Sequence, residues 1–347
     1  MSSDIIPPVV RNTLIDSIRG FAIIIMIAAN SWPYLAPSNY CPMGLRILFS
    51  VAAPLFIFLS GVSLYLAEEA GKSAKQILIR VIQILVVAII IDALVWQILP
   101  FYTFDVLYLI AFSLALIVSI RSFSLSYQLI IVTALFFLNL LLLKYHQFEM
   151  STLSVFAIKQ LSIITAIKQA VISGWFPILP WAGVAITGYL IAKYRKFLKR
   201  FKSYCYLLGI ASIVTSVFIL LTQESTNIQA FRIGYTELFY PVKGIFYLLL
   251  LGLYCLLIPL VSTTWKQQNL LSSIGRKSLF IYFVHIVIIK YFFFPYIQDP
   301  SSFQWWIFTV QLLIFYLLII VINYLIEARQ TDLKYGKYKR IGFVTGL

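Results

Sequence analysis

The chain has 347 residues, of which 61% are hydrophobic, 16% aromatic and only 11% charged, and its mean hydropathy is +0.94. That balance lies far outside the range of water-soluble domains and excludes a soluble enzyme. The net charge of +15, from 27 Lys and Arg against 12 Asp and Glu, is spread over short clusters between apolar runs, which fits orientation in a bilayer better than a nucleic-acid-binding face.

In chain order, apolar runs bounded by charges and turn residues predict helices near residues 18–35, 47–67, 77–98, 104–120, 126–143, 175–193, 203–222, 244–262, 277–296 and 304–326. Each is close to the roughly 20 residues that a helix needs to cross about 30 Å of hydrocarbon. The fold class is therefore all-α, a polytopic transmembrane bundle of about ten helices. No Pro/Gly/Ser linker and no fixed repeat divides the chain, so residues 1–347 read as a single membrane-embedded domain. The N-terminal segment lacks the small-residue cleavage pattern of a signal peptide, and the first apolar run is expected to stay as a helix. The bacterial cytoplasmic membrane is the expected location.

With the N-terminus in the cytoplasm, the loops on that side carry nineteen Lys and Arg and those on the other side seven, with Arg19 inside the first helix. This asymmetry places both termini inside. It requires residues 151–172, which carry Lys159 and Lys168, to lie on the outer surface as an interfacial or lid helix; a crossing there would put the six-cation cluster at 193–202 outside. Residues 328–347 form a basic cytoplasmic tail suited to an anionic leaflet. Cys41, Cys205 and Cys255 show neither CxxC nor metal-ligand spacing, so no disulfide framework, zinc site or other metal is expected.

Ionisable groups inside a bilayer are costly and so mark candidate sites. Asp16 and Arg19 stand i, i+3 on the first helix, either as a structural ion pair or as an anion site at the inner mouth. Asn30 follows Arg19 by eleven residues, which returns to nearly the same face about 16 Å further along. It reads as a packing hydrogen bond or as a functional amide. His285 falls near mid-bilayer on a face shared with Ser278 and Tyr282, and reads as a buried structural imidazole or as a catalytic one. His146, beside Lys144 in an outer loop, reads as solvated. Asp92 has no partner in its own sequence window and must meet a cation on another helix or be protonated, whether for structure or for the site. Asp105 reads mainly as the N-cap of the fourth helix. The two prolines and the glycines of GWFPILPWAGVAITGYL predict a distorted sixth helix or close small-residue packing.

The segments RNTLIDSIRGFAIIIMIAANSW, APLFIFLSGVSLYL, DVLYLIAF, FPILPWAGVAITGYL and GRKSLFIYFVHIVIIKYF occur in an order that resembles the heparan-alpha-glucosaminide N-acetyltransferase family, within the wider group of multi-pass membrane acyltransferases. The resemblance implies an enzyme that carries an acetyl or other acyl group from cytoplasmic acyl-CoA to a saccharide or glycoconjugate amine or hydroxyl on the outer side. It also implies a catalytic pair made of an Asn at the outer end of the first helix and a His in the loop that follows. Asn30 matches the first. The loop SWPYLAPSNYCPMGLR has no histidine, and the matching position falls near Tyr40 or Cys41.

Three outcomes stay open: His285 or Cys41 takes the missing role, the acceptor chemistry differs, or transferase activity is lost. In the resulting scheme Asp16 and Arg19 meet the CoA phosphates, Asn30 donates to the developing oxyanion and His285 acts as base, with Cys41, Asp92, Ser278 and Tyr282 as further candidates. The expected partners are membrane lipids and the acceptor, with no nucleic acid and oligomeric state left open. The alternative class is a translocator of a saccharide or lipid-linked substrate without covalent chemistry.

Overall fold

Hydrocarbon offers no partner to a backbone N–H or C=O, so apolar runs in a bilayer must close their hydrogen bonds within themselves, as helices. The computed structural model describes residues 12–35, 41–145, 162–222, 237–239, 242, 244–263, 265, 267–293 and 304–334. Among them the secondary structure is helical throughout: α1 (Thr13–Leu35), α2 (Met43–Glu69), α3 (Ala74–Ile90), α4 (Val106–Ile120), α5 (Leu125–Tyr145), α6 (Ile163–Lys168), α7 (Ile178–Lys193), α8 (Arg195–Leu198), α9 (Lys202–Thr222), α10 (Gly244–Val261), α11 (Leu270–Arg276), α12 (Ser278–Ile288) and α13 (Trp305–Lys334). Among the described residues seven helices are long and apolar enough to cross a membrane, two bent pairs (α6 with α7, α11 with α12) are so when each is taken together, and α4 is a shorter apolar helix. These account for the ten apolar runs, and the protein is a multi-pass membrane protein. His146 and residues 151–161 of the expected lid helix lie outside the described residues, as does the basic tail beyond residue 334.

The bundle has a packed centre and a lipid-facing rim. Helices α1, α2, α7 and α10 bury most of their side chains, whereas α5, α9 and α13 expose apolar rows such as Leu207, Ile210, Val214 and Phe218. Such a face is stable only against acyl chains. The closest helix crossings are set by glycine. A Cβ on Gly275 would lie 1.8 Å from the Asp16 carbonyl oxygen, and one on Gly20 would lie 2.1 Å from that of Leu271, so α1 and α11 touch through their backbones. The crossing of α2 with α7 repeats the device with Gly61 against Ala185 and Gly188 against Phe58. The expectation of small-residue packing in the sixth span therefore holds, and so does the distortion: Leu179, before Pro180, leaves helical geometry (φ −90°, ψ 118°).

Cations and carboxylates gather at one end of the bundle. Arg121 pairs with Glu68 at 2.5 Å, Tyr189 donates to the other oxygen of Glu68 at 2.9 Å, and Arg195 pairs with Glu69 at 2.7 Å. On the neighbouring helices Glu327 accepts from Arg276 at 3.1 Å and from the buried Lys277 at 3.2 Å. The α6 remnant of the expected lid carries exposed Ile163, Ile164 and Ile167 and turns into α7 through a bend of 51°.

Candidate functional site

At the end of α1 remote from the charged cluster, the Asn30 amide nitrogen lies 3.1 Å from His285 Nε2. An amide nitrogen can only donate, so Nε2 accepts and the ring proton sits on Nδ1, 3.3 Å from the Ile281 carbonyl oxygen one turn back on α12. The imidazole is thus a neutral tautomer with both nitrogens engaged and no solvent exposure. Two residues 255 positions apart, singled out separately from the sequence, form one hydrogen-bonded pair.

Asn30 lines a cavity of about 60 Å³ whose walls are mostly aromatic and aliphatic, among them Tyr34, Phe49, Trp96, Trp175 and Phe239. At about 10–15 Å³ per water, it holds a small polar group or a few waters, with the tail of a larger ligand left outside. His285 stands behind Asn30 and is not among the lining residues; Tyr282, one turn earlier on α12, is. Tyr282 packs edge-on against the His285 ring at 5.0 Å and donates its hydroxyl to Asp105 Oδ2 at 2.6 Å. Asp105 also caps α4 as expected, Oδ1 accepting from Val106 N at 2.7 Å, and the residue is among those that line the cavity. The chain leading into α4 is tied to the turn before α7 by backbone bonds from Trp175 N to Thr103 O (2.8 Å) and from Phe176 N to Phe104 O (3.0 Å). One short segment thereby fixes Asp105 and the Trp175 and Phe176 rings together.

The remaining candidates lie elsewhere. Asp16 accepts from Arg19 at 2.9 Å, and the guanidinium also reaches Ser63 on α2 and the Gly275 carbonyl oxygen. Asp16 and Arg19 therefore belong to the charged end, some 16 Å along α1 from Asn30. Arg80 on α3 is near enough to feel the charge of Arg19, and its own hydrogen bond is to Gln83 at 3.3 Å. Asp92, expected to meet a cation or to be protonated, sits in a π-helical turn over Ile91–Trp96 that extends α3 and accepts from the Tyr108 hydroxyl at 2.7 Å. Cys41, just before α2, is half-buried and does not line the cavity. Ser278 opens α12, two turns from His285. Among the described residues no group of three or more His, Cys, Asp or Glu side chains is placed to hold a metal ion.

The catalytic-region model of heparan-alpha-glucosaminide N-acetyltransferase matches residues 11–206, more than half of the chain. The chain belongs to that family. The match spans α1 to the start of α9, and so includes Asp16, Arg19, Asn30, Cys41, Asp92 and Asp105, while Tyr282 and His285 lie beyond it. No curated protein matches the chain. In this chain Asn30 of α1 is joined to an imidazole from α12, and the loop after α1 has no histidine.

Sequence reasoning did not place Asp105 beside Tyr282, and it missed Glu237, a buried carboxylate that also lines the cavity. For Glu237 a signal existed: an acidic residue close to an apolar span, in a chain with only 12 acids, is expensive enough to ask what it serves.

Proposed function

We propose that the protein transfers an acetyl or other short acyl group from acyl-CoA to an amine or hydroxyl of a saccharide or glycoconjugate, with donor and acceptor approaching from opposite sides of the membrane. The observation that carries this reading is the Asn30–His285 pair at the wall of an apolar cavity of acyl-group size. An amide held by a buried neutral imidazole is a preorganised donor for a carbonyl oxygen that gains charge as a thioester is attacked. The aromatic walls exclude water, which would otherwise hydrolyse the thioester, and offer flat faces to a sugar.

The donor's phosphates belong at the charged end. Arg19 stands there between Asp16 and Ser63, and Arg80, Lys72 and Lys75 lie on the neighbouring α3 and the turn that precedes it. The span of about 16 Å from Arg19 to Asn30 along α1 suits an extended pantetheine arm that brings its thioester to the cavity. With the charged end in the cytoplasm, the cation asymmetry of the loops and the origin of acyl-CoA agree.

Calorimetry with acetyl-CoA on the detergent-solubilised protein tests the reading. Saturable binding, weakened more by Arg19→Ala than by Arg19→Lys, is the expected result, because guanidinium adds bidentate geometry to a charge that lysine partly replaces. Absence of binding with several acyl-CoAs favours translocation of the saccharide or lipid-linked substrate without chemistry.

A further inference from the structure

Acyl transfer to a hydroxyl or amine needs a group that accepts the acceptor's proton, and the loop after α1 supplies no histidine for it. His285 is present but fully buried behind Asn30, with Nε2 accepting from the amide and Nδ1 directed at Ile281. Using that lone pair on a substrate would break the contact that holds the oxyanion donor. The base must touch the cavity itself. Among the described lining residues the ionisable side chains are Tyr34, Tyr282, Asp105 and Glu237. A phenol keeps its proton at neutral pH, which leaves the two carboxylates.

Of the two, Asp105 is the one joined to the turn of α12 that carries His285. Each of its oxygens receives a named donor, Oδ1 from Val106 N at 2.7 Å and Oδ2 from the Tyr282 hydroxyl at 2.6 Å, so the plane of the carboxylate is fixed. Tyr282 and His285 lie one turn apart on α12 with their rings in edge contact. A single turn of α12 thus contacts both the Asn30 amide and the Asp105 carboxylate, two residues that line the cavity. Fixed geometry between an oxyanion donor and a proton acceptor is what converts binding into rate.

We propose that Asp105 is the catalytic acid–base residue of this protein, standing in for the absent loop histidine, with Tyr282 as its positioning residue. This rests on the acyl-transfer reading above. The acceptor's oxygen or nitrogen bonds to the thioester carbonyl carbon while its proton passes to the Asp105 carboxylate. The carbonyl oxygen takes the negative charge and is met by the Asn30 N–H. The carbon–sulfur bond then breaks, its electron pair leaves with sulfur, and the protonated Asp105 returns the proton to the thiolate. CoA thiol and an acylated acceptor are released, and the carboxylate is restored.

The test uses the full chain in detergent, with acetyl-CoA as donor, glucosamine or water as acceptor, thiol release as the rate and calorimetry for donor binding. Asp105→Asn keeps the shape and an oxygen to cap α4, and is expected to lower kcat by about a hundred- to ten-thousand-fold with acetyl-CoA affinity unchanged. Asp105→Glu restores part of the rate. Tyr282→Phe lowers kcat less, leaves binding intact and shifts the acidic limb of the pH–rate profile, which a merely structural tyrosine would not do. The assignment is overturned if Asp105→Asn keeps turnover within about threefold of wild type, if Glu237→Gln abolishes turnover while Asp105→Asn does not, or if Asp105→Asn loses donor binding as fully as rate. Wild-type protein that binds acetyl-CoA but releases no thiol also removes the assignment while leaving a donor site in place. Wild-type protein that does not bind acetyl-CoA removes the transferase reading itself, and the assignment with it.

Discussion

His285 and Asn30 meet across the interface of α12 and α1, the imidazole accepting from the amide at 3.1 Å while its other nitrogen is anchored to Ile281 of its own helix. The arrangement makes the histidine a support for the asparagine and gives the two residues different expected phenotypes.

Glutamine places Oε1 close to where Nε2 of histidine sits and can accept the same N–H, but it cannot take up a proton as a base does. His285→Gln is therefore expected to keep much of the transfer rate, and His285→Ala to lose about a hundred- to a thousand-fold, the usual contribution of an oxyanion donor whose position is lost. Both variants should bind acetyl-CoA normally. Steady-state kinetics on the pair decides the role: if His285→Gln is as inactive as His285→Ala, the imidazole acts as the base.

Gly275→Val tests the α1–α11 crossing. Its Cβ would stand 1.8 Å from the Asp16 carbonyl oxygen, so the helices must part, and the contact from Arg19 to the Gly275 carbonyl parts with them. Overpacking of this kind costs about 1–3 kcal/mol. A lower unfolding temperature in detergent is expected, whereas the same change at the open Gly44, where a Cβ meets nothing within 4 Å, should leave it unaltered.

Much of the architecture could be read in advance because hydrocarbon enforces it. All ten apolar runs became helices, most boundaries shifting by a few residues while α1 begins five residues earlier and α13 ends eight residues later than expected, and Asp105 caps α4 as its sequence position suggested. Asn30 and His285 were visible because polar atoms at that depth need a reason. What could not be read was who meets whom. Asp92 found Tyr108, sixteen residues away on the next helix, a phenol partner that nothing in its own sequence window named. Asp105 found Tyr282 across 177 residues, a pairing that depends on the rotation of α12 about its axis and leaves no trace in local spacing. The distance of about 16 Å from Arg19 to Asn30 follows from helix rise and was legible, but that Arg19 lies outside the Asn30 cavity, its guanidinium shared among Asp16, Ser63 and Gly275, was not.

Orientation in the membrane gives an independent expectation. A single cysteine at Lys199, in the basic turn between α8 and α9, should react with an impermeant maleimide only after the membrane is opened, if that turn faces the cytoplasm as the nineteen-to-seven cation asymmetry argues. Labelling of intact cells at this position would invert the bundle and put the Asn30 cavity on the wrong side for an outer acceptor.

The most direct test is transfer of labelled acetyl from acetyl-CoA to an amino sugar by the protein reconstituted in sealed vesicles, with the donor on the side of the charged end and the acceptor on the other, for wild type beside Asn30→Ala. Acyl transfer at the Asn30 cavity predicts labelled product from wild type and about a hundred- to a thousand-fold less from Asn30→Ala, with acetyl-CoA affinity retained. Equal product from both proteins would contradict a catalytic role for the asparagine, and appearance of the unmodified sugar on the donor side without label would contradict transfer altogether.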